Sequence, residues 1–213
     1  ITSLHLETAL VGSAEAFMMT YFADSIGKLE EVTIGDSVTS IGADFCTACK
    51  KLATLTLGLS VRGIGDRAFT ETALKTVIFP DSVTSVGEKA FQSSALESVT
   101  IPDSVITIAG HAFSSCTNLR NVTIGDKVTS IGDGAFSSCS SMKNVSLGSG
   151  VKSIGRNAFS KTALMSVIIP DSVTSIGEQA FYATRLKSVN IPHSITSISG
   201  GTFEGCSNLQ TVV

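Results

Sequence analysis

Residues 96–118 read LESVTIPDSVITIAGHAFSSCTN, and residues 186–208 read LKSVNIPHSITSISGGTFEGCSN. Related stretches begin at Leu29, Leu52, Leu74, Leu96, Leu119, Met142, Leu164, Leu186 and Leu209, always 22 or 23 residues apart. Their shared form is L-x-x-V-x-I-[PG]-D-S-V-T-S-I-G-x-x-A-F, followed by a short variable turn. A unit of this length cannot bury its own apolar face, so such an array gains a core only by stacking one repeat on the next. The expectation is a repeat solenoid, α/β or mainly β, of nine to ten rungs.

The spacings run 23, 22, 22, 23 and then the same again, so repeats one to four match repeats five to eight. The seventh column agrees, with Gly35, Gly58, Pro80 and Pro102 followed by Gly125, Gly148, Pro170 and Pro192. All four prolines of the chain stand there. Duplication of a four-repeat block favours an expanded array over a unique active site.

Within a repeat, the first, fourth and sixth columns are apolar, and β-branched residues fill two of the three, as in Leu119, Val122 and Ile124. That is strand chemistry, and strands of successive repeats stack in parallel at ~4.8 Å. The Pro or Gly that follows ends the strand. Asp36, Asp81, Asp103, Asp126 and Asp171 are then expected to close a local Asx turn. The segment V-T-S-I-G makes a second short strand that points Val128 and Ile131 inward. Its glycine (Gly42, Gly65, Gly87, Gly132, Gly155, Gly177) suits a positive φ.

The eighteenth column stacks Phe69, Phe91, Phe113, Phe136, Phe159, Phe181 and Phe203, each expected to contribute roughly 1.5 to 3 kcal/mol by burial. In the first regular repeat Cys46 takes that place and Phe45 falls on the preceding Ala column. Cys49, Cys116, Cys139 and Cys206 share a column of the 23-residue repeats, where a free thiol behaves as a small buried hydrophobe.

The remaining composition fits this plan. The 213 residues are 43% hydrophobic and 15% charged, with a net charge of -3 and a mean hydropathy of +0.35. Disorder needs low hydrophobicity and high charge, which excludes it here. The stretch AEAFMMTYFADSIG contains Glu15 and Asp24 and falls short of the ~20 apolar residues of a membrane span. No basic stripe offers itself to nucleic acid. The first residues show no basic n-region and no apolar h-region, the marks of a targeting peptide.

The repeat resembles the BspA-like, or treponemal-type, leucine-rich repeat over residues 29–213, with residues 1–28 as a degenerate member. The resemblance implies a curved right-handed solenoid with a parallel sheet on its concave face, and surface or secreted proteins that bind proteins or cells. It brings no catalytic motif. The chain is read as one solenoid over 1–213: an irregular first repeat with a short helix over 1–28, eight regular repeats over 29–208 and a partial repeat over 209–213. In the first repeat, Ala14, Phe17, Met18, Tyr21 and Phe22 have the spacing of an amphipathic helix, and an insertion that makes a contact competes with an ordinary irregular repeat. Strand sequence at both ends leads to the expectation of a segment of a longer chain, whose flanking repeats or neighbouring subunits cover the terminal rungs.

Local motifs are absorbed by the columns. GIGDRA (63–68) has the G-x-G-x-x-A form of a dinucleotide site, yet sister repeats share I-G-x-x-A and no second long βαβ strand follows. Cys46-Thr-Ala-Cys49 has redox or zinc spacing, but both cysteines occupy core columns, which makes them structural. Cys116 and Cys139 are one rung apart, within reach of a bridge, and free buried thiols are the favoured state. His5, His111 and His193 form no triad with a Ser or Cys, and solvation is their default. Stacked aspartates supply one carboxylate per rung, few for Ca²⁺. No catalytic residue, cofactor site or metal site is assigned.

The third and fifth columns face solvent on the sheet. From them come the candidate binding residues Thr54, Thr76, Ile78, Ser98, Thr100, Asn121, Thr123, Asn144, Ser146, Ser166, Ile168 and Ser188. Asn121-Val-Thr and Asn144-Val-Ser are also glycosylation sequons, although the fifth column is usually Thr or Ser anyway. The face is neutral and lacks the Trp, Tyr and Arg of strong hot spots. Weak, avid or glycan-directed binding follows, unless the edges or the first repeat do the work. The reading is a non-enzymatic interaction module, at the cell surface or secreted, with a protein or glycan partner. Its rival is a scaffold or spacer subunit docked in a larger, intracellular assembly.

Overall fold

The computed structural model describes residues 2–7 and 26–213. Ala14 to Phe22, read as a short helix, lie outside the described residues. The described residues wind into a mainly β solenoid, and their strands pair in parallel. The solenoid makes about eight turns, fewer than the nine to ten rungs read from the repeats.

Two ladders run along the solenoid. The first contains β1 (Ser3–Leu6), β2 (Glu31–Ile34) and β4 (Thr54–Thr56), then β7 (Ser98–Ile101), β9 (Asn121–Ile124) and β11 (Asn144–Ser146), and last β14 (Ser188–Val189) and β15 (Thr211–Val212). The second is a seven-stranded ladder of two-residue strands: β3 (Ser40–Ile41), β5 (Gly63–Ile64), β6 (Ser85–Val86), β8 (Thr107–Ile108), β10 (Ser130–Ile131), β12 (Ser153–Ile154) and β13 (Ser175–Ile176). These are the V-T-S-I segments. Register follows the repeat columns, as in Val99 opposite Val122 and Ile131 opposite Ile154.

Between the ladders lies one continuous core. Seven phenylalanines stack along it, with ring centroids 5.4 to 5.7 Å apart. Phe45 continues the stack from the Ala column by meeting Phe69 edge-on at 5.9 Å. Beside it runs a column of small side chains three residues after each Phe. In the 23-residue repeats these are thiols: Cys116 and Cys139 donate to the carbonyls of Phe91 and Phe113, both at 3.1 Å. In the 22-residue repeats a buried hydroxyl takes the place, as in Thr72 and Thr162, which donate to Phe69 and Phe159. Cys116, Cys139 and Cys206 are free thiols. Cys139 is pushed well above the ordinary thiol range by its hydrogen bond with the Cys116 thiol and by burial.

Three local expectations are corrected. The glycines after the second strand do not take positive φ; that conformation falls two residues later, on Asp44, Arg67, Lys89, His111, Gly134, Asn157, Gln179 and Gly201. A Cβ on Gly65 would sit 2.5 Å from the backbone nitrogen of Ala43, and one on Gly155 2.7 Å from that of Asp133. Glycine is required there because successive rungs approach too closely for a side chain. Three of the aspartates reach across to the next rung rather than closing turns within their own. Asp36, Asp103 and Asp126 accept the backbone N–H of Leu59, Asp126 and Ser149 on the next rung, at 2.7 to 2.8 Å. Finally, Cys46 and Cys49 are structural, as read, but through a buried disulfide within the turn rather than as free hydrophobes.

Candidate functional site

The first ladder sets its odd columns outward because its even columns are held in the core. The burial of β7 and of β9 alternates residue by residue. Thr54, Thr76, Ser98, Asn121, Asn144, Ser166 and Ser188 therefore form one exposed row, and Ile78, Thr100, Thr123, Ser146 and Ile168 a second. Asn144 Nδ2 donates to Asn121 Oδ1 at 2.9 Å, so the two sequon asparagines meet across adjacent rungs. His5 and His193 are exposed, while His111 is half-buried, its ring filling the space over Gly134.

The rows are not uniform. No strand forms over Thr76–Phe79 or over residues 166–169, apart from one parallel bridge between Ile168 and Asn190. These are the two rungs entered and left through the shortened turn, and both carry an isoleucine in the fifth column. Ile78 is 83% exposed and Ile168 82%. Grooves open beside them. One of about 790 Å³ runs from Ile78 and Thr76 to Ser98, Thr100 and Lys127. A second, about 250 Å³, adjoins Ile78 through Leu55, Leu59 and Pro80. A third, about 370 Å³, lies by Ile168, Leu147 and Pro170.

Leu59 adds an apolar point that the column pattern signals: it replaces Asp in the eighth column and is 73% exposed. The aspartates of that column edge the face. Asp36, Asp103 and Asp126 already accept amides of the next rung, and Asp126 is held below the usual carboxylate range by the backbone N–H and hydroxyl of Ser149. Among the described residues no group of three His, Cys, Asp or Glu side chains is placed to hold a metal ion. No helix among them is long and apolar enough to cross a membrane. The surface thus offers hydrogen-bonding rows, two apolar points and grooves between them, a geometry for contact.

Known proteins agree with the architecture. No curated protein matches the chain. A leucine-rich repeat protein from Bacteroides ovatus superposes with a TM-score of 0.73 at 26% identity, covering 99% of this chain and 62% of that one. A leucine-rich cell surface protein from Faecalibacterium prausnitzii gives 0.56 at 28%, covering 86% and 63%. A leucine-rich repeat protein from Eubacterium ventriosum, at 22% identity and 0.64, shares the fold and covers 99% and 65%. The chain thus spans under two thirds of the length of each. The BspA type leucine-rich repeat region matches residues 15–141 and 84–210 in six copies. With its columns, its stacked phenylalanines and that match over most of its length, the chain belongs to the BspA-type leucine-rich repeat family.

Proposed function

We propose that the chain is a non-enzymatic protein-interaction module, acting at the cell surface or secreted, with the strand face as its contact surface. The observation that carries this reading is the pair of exposed rows in the third and fifth columns, punctuated by Ile78 and Ile168. The rows are preformed by the ladders and the core behind them, so a partner binds without ordering the face, which lowers the entropic cost of association. Neither row holds Trp, Tyr or Arg, so each rung contributes modestly and affinity accumulates along the array. The two isoleucines supply the apolar contacts. Asn121 and Asn144 lie side by side in the third-column row, bridged by a hydrogen bond between their exposed side chains.

Two features support the compartment. The Faecalibacterium protein at 28% identity is described as a cell surface protein. The Cys46–Cys49 disulfide is a bond that persists in oxidising surroundings.

The test is site-specific photocrosslinking in the cells that produce the protein. A crosslinker at Thr123, on the strand face, is expected to give a discrete protein adduct, and one at Lys152, outside it, none. Adducts from Lys152 alone would move the contact surface elsewhere.

A further inference from the structure

The edge of the strand face that leads into each strand changes its charge along the solenoid. The second column supplies this edge, and its residues are exposed. Backbone bonds stack it rung on rung: Arg120 N–H donates to Glu97 at 2.9 Å and Lys143 N–H to Arg120 at 3.0 Å.

The duplication makes the change legible. Across 90 residues, Val32 is matched by Val122, Ile34 by Ile124 and Phe69 by Phe159, so the core is repeated. In the second column, Glu30 is matched by Arg120, Ala53 by Lys143, Lys75 by Met165 and Glu97 by Lys187. Glu30, Lys75 and Glu97 leave the first half with one excess negative charge. Arg120, Lys143 and Lys187 give the second half three positive ones. Arg185, exposed in the turn before Lys187, adds a fourth. None of these four cations pairs with a described acidic residue; the ion pairs among the described residues are Lys50–Glu71, Arg67–Asp44, Lys89–Glu88 and Arg156–Glu178. Like charges on adjacent rungs repel, and this strip is gathered on a chain whose net charge is -3. The opposite edge keeps its aspartates, Asp126 and Asp171 among them.

We infer that the strip Arg120–Lys143–Lys187 docks an extended acidic segment of a protein partner; this rests on the strand face being the contact surface. Charge complementarity selects an anion. The length suits a peptide: Arg120, Lys143 and Lys187 span three rungs, ~14 Å, in steps of one rung and then two across Met165, and five residues of an extended chain span about 13.5 Å. Asn121, Asn144 and Ser188 lie one residue further on, within the face, as hydrogen-bonding neighbours. Exposed Met165, in the same column between Lys143 and Lys187, gives such a segment an apolar contact that a sugar polyanion would not use.

The test measures binding of the intact chain to immobilised poly-L-glutamate, poly-L-lysine and heparin. Poly-L-glutamate is expected to bind and poly-L-lysine not. The triple variant Arg120→Glu, Lys143→Glu, Lys187→Glu is expected to weaken glutamate binding at least about tenfold, as is raising the salt from 50 to 300 mM. A matched reversal at Lys50, Lys51 and Lys152 should stay within about twofold, with circular dichroism confirming that both variants fold. No glutamate binding, or equal loss in both variants, overturns the inference. Heparin held tenfold tighter than poly-L-glutamate assigns the strip to an anionic glycan and also overturns it. If glutamate binding fails while Thr123 still crosslinks, the docking strip falls and the module stands. If the strip binds but only Lys152 crosslinks, the strand face falls instead.

Discussion

Phe113 and Phe136 stack with ring centroids 5.4 Å apart and planes 4° from parallel, and both are fully buried. Each ring is therefore packed by the rung before and the rung after. Replacing Phe113 with Ala leaves a cavity bounded by two neighbours that cannot collapse without breaking register. A loss of about 3 to 5 kcal/mol is expected in urea unfolding. The half-buried Phe203 should lose distinctly less on the same substitution.

Glycine after the second strand answers to close approach, and a pair of substitutions separates this from conformational freedom. Gly155→Ala would place a methyl 2.7 Å from the Asp133 backbone nitrogen, whereas a Cβ on Gly200 meets nothing within 4 Å. Gly155→Ala is expected to cost more than about 2 kcal/mol. Gly200→Ala should be neutral or stabilise by up to about 1 kcal/mol through the unfolded chain. Thermal unfolding of the two variants reads the difference.

The cysteines should divide by chemistry. Cys46 and Cys49 are bonded, while Cys116 and Cys139 are buried thiols, the latter raised well above the ordinary range. In thiol titration at pH 8, the native chain should react slowly at both buried positions, and the unfolded, unreduced chain should show three thiols. Replacing Cys46 and Cys49 by Ser should lower stability by about 2 kcal/mol, the scale for so short a loop.

Arg67 donates through Nε to Asp44 Oδ1 at 2.7 Å, and its guanidinium holds the Asp44 carboxyl below the usual carboxylate range. A folded value below the unfolded one gives stability that is present above about pH 4 and is lost as pH falls through the folded value. Arg67 is half exposed, so the contribution is about 0.5 kcal/mol. Arg67→Gln should be less stable than the parent at pH 7, and the gap should close between pH 5 and pH 2 in parallel urea titrations.

What the sequence disclosed was whatever recurs within one repeat. The Phe column, the inward Val128 and Ile131, the second strand and the outward rows around Thr100 and Thr123 follow from alternation and period alone. What it concealed lies between repeats. Gly155 and Asp103 look like turn residues until the next rung is placed against them, and a local sequence carries no sign of that approach. The lapse of the ladder at Ile78 and Ile168 is hidden for the same reason, because those rungs keep the strand pattern. The disulfide was within reach, since Cys46 and Cys49 are three residues apart, but their core columns pointed equally well to free thiols. The charge change from Glu30 to Arg120 was in plain letters and emerges only when the duplicated halves are laid side by side.

That the strand face makes the contact is tested most directly by the affinity of the native partner for a triple variant carrying the neutral, bulkier Gln at Thr100, Thr123 and Ser146. These side chains are exposed, so the fold and its thermal midpoint should be unchanged. The expected result is a loss of affinity of at least about tenfold, against a change within twofold for Lys152→Glu. Unchanged affinity in the triple variant, with loss in Lys152→Glu, would contradict the account.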